Sequence, residues 1–147
     1  GDRTDLVPLM AGWMRRAGSE LLDKADVIVP VPLHKARLWG RQFNQSAELA
    51  RLIAHHSRTT YAPLALQRVK ATKSQVGLGP QQRRDNVRGA FRVRDQRRFE
   101  VDGKHVLLID DVYTTGATVS AATRALKRAG ARDVDVLTFA RVATRES

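Results

Sequence analysis

Two adjacent carboxylates, Asp110 and Asp111, follow the apolar run Val106, Leu107, Leu108 and Ile109 and precede Val112, Tyr113, Thr114, Thr115, Gly116, Ala117 and Thr118. Four apolar residues in a row read as a short strand buried on both faces. Thr114, Thr115 and Gly116 read as a hydroxyl-rich turn, and Thr118 opens an alanine-rich helix. Each part has a chemical use. A helix N-terminus carries unpaired N–H groups and the positive end of a dipole, so it attracts phosphate. Gly116 lets the backbone approach an anion, and the three threonines can donate hydroxyls. The carboxylates lie at the C-terminal end of a strand, where open α/β sheets place their ligands. They can accept hydrogen bonds from sugar hydroxyls, or hold the waters of Mg²⁺, a hard cation that prefers oxygen. An acidic pair alone would be an ordinary strand–helix cap. The whole block favours a site that holds a ribose by its hydroxyls and its phosphate together. Successive strand residues face opposite ways, so the two carboxylates should differ in role.

Two basic stretches could complete such a site. Pro32 and Leu33 lead into a loop with His34, Lys35 and Arg37, and Arg41 stands just beyond. A basic loop directly after a buried strand suits an anion. His34 alone reads more simply as a loop residue. The second stretch, residues 69–86, is rich in Lys, Arg, Gln and Gly and poor in large apolar side chains. It can bury little, so it reads as a mobile lid. Lys70, Lys73, Arg83 and Arg84 are its candidates to meet an anion. A nucleic-acid contact through this loop remains an open alternative.

The elements that must position these residues follow from apolar spacing. Residues 5–22 read as an amphipathic helix, with Leu6, Leu9, Met10, Trp13, Met14, Ala17 and Leu21 on one face. Residues 26–31 are a strand that Pro30 and Pro32 end. Residues 43–56 form a helix whose adjacent His55 and His56 lack the spacing of a metal pair. Residues 63–68 are a second strand. A small hairpin is expected from 90–94 and 99–101, with a turn at Asp102-Gly103. Residues 104–110 are the central strand, 117–129 a helix closed by Gly130, and 133–140 the next parallel strand. Alternating strands and helices predict an α/β domain with a mostly parallel central sheet flanked by helices.

The chain has 147 residues, one domain's worth, and 42% hydrophobic residues, enough for a core. No apolar run is long enough for a membrane span, and no signal-peptide pattern opens the chain. Cysteine is absent, which excludes disulfides and thiolate metal sites and fits a cytoplasmic location. The net charge of +11 points toward anionic partners. Residues 68–98 alone hold ten Lys or Arg against Asp85 and Asp95, a local net of +8.

Residues 106–118 resemble the 5-phosphoribosyl-1-pyrophosphate (PRPP) motif of type I phosphoribosyltransferases. The resemblance extends over most of the chain and is closest to the competence protein F family, linked to DNA uptake. Pro30-Val31-Pro32-Leu33-His34 is near that family's pattern, as are Arg68, Thr72, Gln75, Leu78, Arg83, Asn86, Gly89, Ala90 and Phe91. It implies a single Rossmann-like domain over residues 1–147, with a small hood hairpin and a flexible loop. The implied reaction is Mg²⁺-dependent transfer of the 5-phosphoribosyl group to a nitrogenous acceptor with release of pyrophosphate. Residues 110–118 would hold the ribose and its 5′-phosphate. Pro32, Leu33, His34, Lys35, Arg37 and Arg41 would take the pyrophosphate. Asp110, Asp111, Lys73 and Arg83 would be catalytic, with Mg²⁺ held near the two aspartates through water or ribose hydroxyls. A non-catalytic DNA-uptake accessory and a PRPP-sensing module share this pattern and stay open, as does a homodimer. Three departures stand out. Gln42 replaces a glycine, Tyr113 replaces a small aliphatic residue, and Thr114 stands where the 6-oxopurine subgroup has Asp. The family's cysteine-bearing N-terminal zinc module has no counterpart here, so the expectation is the phosphoribosyltransferase domain without it.

Overall fold

The computed structural model describes residues 19–32, 45–69, 79–82, 89–110 and 116–138. A four-stranded parallel sheet runs through them. Its strands are β1 (Val27–Pro30), β2 (Thr60–Tyr61), β5 (His105–Asp110) and β6 (Asp133–Thr138), in the order β2-β1-β5-β6. The helices are α1 (Ser19–Lys24), α2 (Gln45–Ser57) and α3 (Gly116–Arg128). Strands β3 (Leu66–Arg68) and β4 (Phe91–Val93) form a separate antiparallel pair.

The central strands are apolar throughout because both faces are covered. Val27, Val29, Val106 and Leu108 point to one face and pack with Ala121, Ala122, Ala125 and Leu126 of α3. Ile28, Leu107 and Ile109 point to the other and meet Leu49, Ala50, Ile53 and Ala54 of α2. Each helix presents one stripe at the helical period, so one sheet separates two apolar layers. Tyr61, on the α2 side, is half-buried and donates its hydroxyl to the Ala47 carbonyl at 2.8 Å. Helix α2 stops where Arg58 turns left-handed, at φ 59°. Its last turn is tied by the Ser57 hydroxyl, which donates to the Ile53 carbonyl at 2.7 Å. His55 and His56 meet edge-to-face there, with ring centroids 5.4 Å apart.

The expected α/β architecture is present, and the hood hairpin exists with a different partner. β4 pairs with β3, Phe91 opposite Arg68 and Val93 opposite Leu66. Residues 99–101 are not the second hairpin strand: Phe99 and Glu100 end a 3-10 helix, Asp95–Glu100, and Val101 caps it. The physical reason lies in the side chains. Phe91 and Val93 are buried while Arg92 is exposed, a strand alternation that the charged run Asp95, Arg97, Arg98, Glu100 cannot continue. The Arg68 guanidinium lies over the Phe91 ring, 4.8 Å from its centroid, at the mouth of the hood. Of the expected N-terminal helix, residues 5–22, only 19–22 fall within the described structure, in α1, which continues to Lys24. Among the described residues, no helix is long and apolar enough to cross a membrane.

Candidate functional site

The parallel register brings the ends of three strands to one edge of the sheet. Pro30 of β1 lies opposite Ile109 of β5, and the Val31 N–H donates to the Ile109 carbonyl at 2.9 Å. Asp110 of β5 lies opposite Thr138 of β6. Pro32 and Asp110 therefore leave neighbouring strands side by side. In the sequence the basic stretch 33–41 follows Pro32, and Asp111 follows Asp110.

Asp110 is the polar end of an apolar layer. Val106 and Leu108 face α3, so strand alternation assigns Asp110 to that face. On α3 the buried residues are Thr118, Ala121, Ala122, Ala125 and Leu126, a single stripe whose first member is Thr118. Asp110 is 2% exposed and Thr118 3% exposed, and neither is without a polar partner. A carboxylate is costly to bury, and a chain that only needed to pack would place an apolar residue there. The strand and helix thus change from hydrocarbon to oxygen at the same edge.

Helix α3 starts at Gly116 and has no acidic residue in its first turn. A helix N-terminus carries a positive dipole end and N–H groups without intrahelical partners, which suit an anion. A β-carbon built on Gly116 would meet nothing within 4 Å. Of the residues expected to hold the phosphate, Gly116, Ala117 and Thr118 form the first turn of α3, and Asp110 ends β5. Among the described residues, no three His, Cys, Asp or Glu side chains cluster as a metal cage. That donor set suits Mg²⁺ held by one or two carboxylates with ligand and water oxygens, and does not suit a closed all-protein site.

Asp111, Val112, Tyr113, Thr114, Thr115, Leu33, His34, Lys35, Arg37, Arg41, Lys73 and Arg83 lie outside the described residues, as do Lys70 and Arg84. One neighbour of the site was not singled out from sequence. Thr138 is an exposed hydroxyl directly across from Asp110. Its signal was positional: the last residue of the parallel strand that follows α3 reaches the same edge.

The profile of the phosphoribosyl transferase domain matches residues 16–147. The DNA utilization protein YhgH of Salmonella typhimurium is 38% identical over 122 residues, which cover 83% of this chain and 51% of that protein. Competence protein F of Haemophilus influenzae is 33% identical over 116 residues, 79% of this chain and 50% of that one. The chain spans about half the length of these curated relatives. In structure, the purine phosphoribosyltransferase from Pyrococcus horikoshii has a TM-score of 0.55 at 18% identity, over 92% of this chain and 73% of that one. That likeness is one of fold, and it agrees with the mostly parallel sheet and its flanking helices. Open α/β sheets place their ligands at the C-terminal ends of their strands, and the chain belongs to the phosphoribosyl transferase domain family, with competence protein F and the YhgH proteins among its relatives.

Proposed function

We propose that this domain binds PRPP and transfers its 5-phosphoribosyl group to a nitrogenous acceptor, releasing pyrophosphate. The observation that carries the reading is that Asp110, at the end of β5, and Thr118, in the first turn of α3, are both buried polar residues. The 5′-phosphate docks on the first N–H groups of α3 and the Thr118 hydroxyl. Asp110 and Asp111 accept hydrogen bonds from the ribose hydroxyls and orient the ring. The basic residues Lys35, Arg37, Arg41, Lys73 and Arg83 receive the pyrophosphate. A nitrogen lone pair forms the new bond to C1 as the C1–O bond to pyrophosphate breaks. The bonding pair leaves with pyrophosphate, and the nitrogen gives up its proton. Positive charge grows at C1 and negative charge on the leaving group, so positioning and electrostatics do most of the work. Closure by residues 69–86 excludes water, which would otherwise compete as the nucleophile. Mg²⁺, if bound, neutralises phosphate charge and fixes the geometry of the ligand oxygens.

Calorimetric titration with PRPP, with and without Mg²⁺, tests this on the wild type and on Asp110→Asn/Asp111→Asn. Metal-dependent binding that the double variant loses supports the site. Absence of binding to a folded wild-type chain overturns it. A screen of nucleobases and amines for pyrophosphate release then separates an enzyme from a PRPP sensor.

The relatives' names favour a second statement at the level of the cell. They are a DNA utilization protein and a competence protein, and we infer that this domain serves the uptake or use of DNA. Disrupting the gene should lower transformation or DNA utilization. Restoration by the wild type and failure with Asp110→Asn would tie that role to the ribose-phosphate site.

A further inference from the structure

At the far end of α3 from Gly116 the surface is basic and carries an exposed aromatic ring. A pocket of about 170 Å³ opens between β4, the 3-10 helix and the last turn of α3, lined in part by Arg92, Asp95, Arg98 and Arg128. Three arginines and one aspartate thus line it. Arg98 is held in place, its Nε donating to the Ala129 carbonyl at 3.1 Å. Among the described residues, Arg92 and Arg128 have no ion-pair partner, and Asp95 neutralises neither. Helix α3 continues the basic surface with exposed Arg124 and Lys127.

Phe99 stands on the same 3-10 turn, adjacent to Arg98. Its side is 70% exposed, the most of any large hydrophobic residue among those described. Three residues complete a 3-10 turn, so Asp95 and Arg98 share the pocket face and Phe99 projects from the next one. A lone exposed phenyl costs solvation and packs against nothing, but it is the right surface for an unstacked base.

We propose that this face binds single-stranded nucleic acid, with phosphates on Arg92, Arg98 and Arg128 and a base stacked on Phe99. The pocket is too small for a whole metabolite, since small-molecule sites usually exceed about 300 Å³, but it accepts one phosphate of a longer strand. A guanidinium fork matches phosphate oxygens, and aromatic rings beside arginines are how sequence-tolerant single-strand sites are built. A duplex keeps its bases stacked and gives Phe99 nothing to hold. An anionic lipid surface would need an apolar stripe, and the apolar stripe of α3 is spent on the sheet. The face lies about 18 Å along α3 from the ribose-phosphate edge, twelve residues at the helical rise. It is therefore independent of the PRPP reading and occupied without displacing that ligand.

Fluorescence anisotropy with a labelled oligothymidylate tests the proposal. Phe99→Ala should weaken binding roughly tenfold, and Phe99→Trp should retain it. Arg92→Gln/Arg128→Gln should lower affinity and flatten the logarithmic salt slope by about 1.4, about 0.7 for each lost phosphate contact. These side chains are exposed, so circular dichroism should show an unchanged fold. Excess PRPP should not compete. The proposal is overturned by variants that bind like the wild type, by equal affinity for blunt duplex, by competition from PRPP, or by tighter binding to phosphatidylglycerol vesicles than to the oligonucleotide.

Discussion

The Asp102 carboxyl group occupies the space into which a β-carbon on Gly130 would project, its Cγ 2.9 Å from that position. Gly130 has φ +102°, and its carbonyl accepts from the Gly103 N–H at 2.8 Å. The Arg132 N–H reaches the Lys104 carbonyl at the same distance, 2.8 Å. The end of α3 is thereby fastened to the turn that starts β5.

Gly130→Ala should therefore destabilise the domain by roughly 2–3 kcal/mol, from backbone strain plus displacement of Asp102. Chemical denaturation measures it. Gly130→Ala/Asp102→Gly should recover only the part due to crowding, leaving the cost of the positive φ.

Leu108→Ala should cost about 2–5 kcal/mol, because Leu108 is fully buried between β1 and α3 and its neighbours are held by parallel strands on both sides. A loss of less than about 1 kcal/mol in urea unfolding would mean that the α3 layer repacks freely.

Thr118→Val keeps the shape of a buried residue and removes its hydroxyl. Stability should fall by about 1–2 kcal/mol, and PRPP affinity by roughly tenfold. Thr118→Ser should restore most of the affinity. Equal affinity in wild type and Thr118→Val would remove Thr118 from the phosphate cradle while leaving Asp110 in place.

Burial raises the Tyr61 phenol above its ordinary value of 10.0, the charge of Glu48 adding to the effect and that of Arg51 opposing it. The folded chain therefore holds this proton more tightly than the unfolded chain. Below about pH 10 the wild type should exceed Tyr61→Phe by about 1 kcal/mol, through the bond to Ala47. Above that pH the unfolded phenol ionises first, so the advantage should shrink as pH rises. Urea unfolding of both chains across the alkaline range reads the difference.

Much of the sheet was legible because parallel strands buried on both faces are written as uninterrupted apolar runs. Val27–Pro30 and His105–Asp110 fall within a residue of expectation, and the Ala-rich face of α3 fixed its extent. Two elements were not legible. Thr60–Tyr61 is a two-residue edge strand with no periodicity to read. The partner of β4 was misjudged because hairpins are inferred from chain proximity, whereas Leu66–Arg68 and Phe91–Val93 are more than twenty residues apart in the sequence. At the site, Asp110 and Thr118 were visible as motif residues. The stripe that buries both was not, since it depends on which face of β5 meets α3. Phe99 was hidden by the same error that made its segment a strand.

The central pairing joins Val27 to Val106. During synthesis the first strand therefore leaves the ribosome roughly 4–16 s before its main neighbour exists, at about 5–20 residues per second. For that interval Ile28 and Val29, with the apolar side of α2, have no sheet centre to cover them, which makes the nascent chain a client for holding chaperones. The strand that ends the wait is also the one that ends in Asp110. No prematurely terminated product can fold and yet lack that carboxylate, so abortive chains cannot compete as empty scaffolds for whatever the finished domain meets.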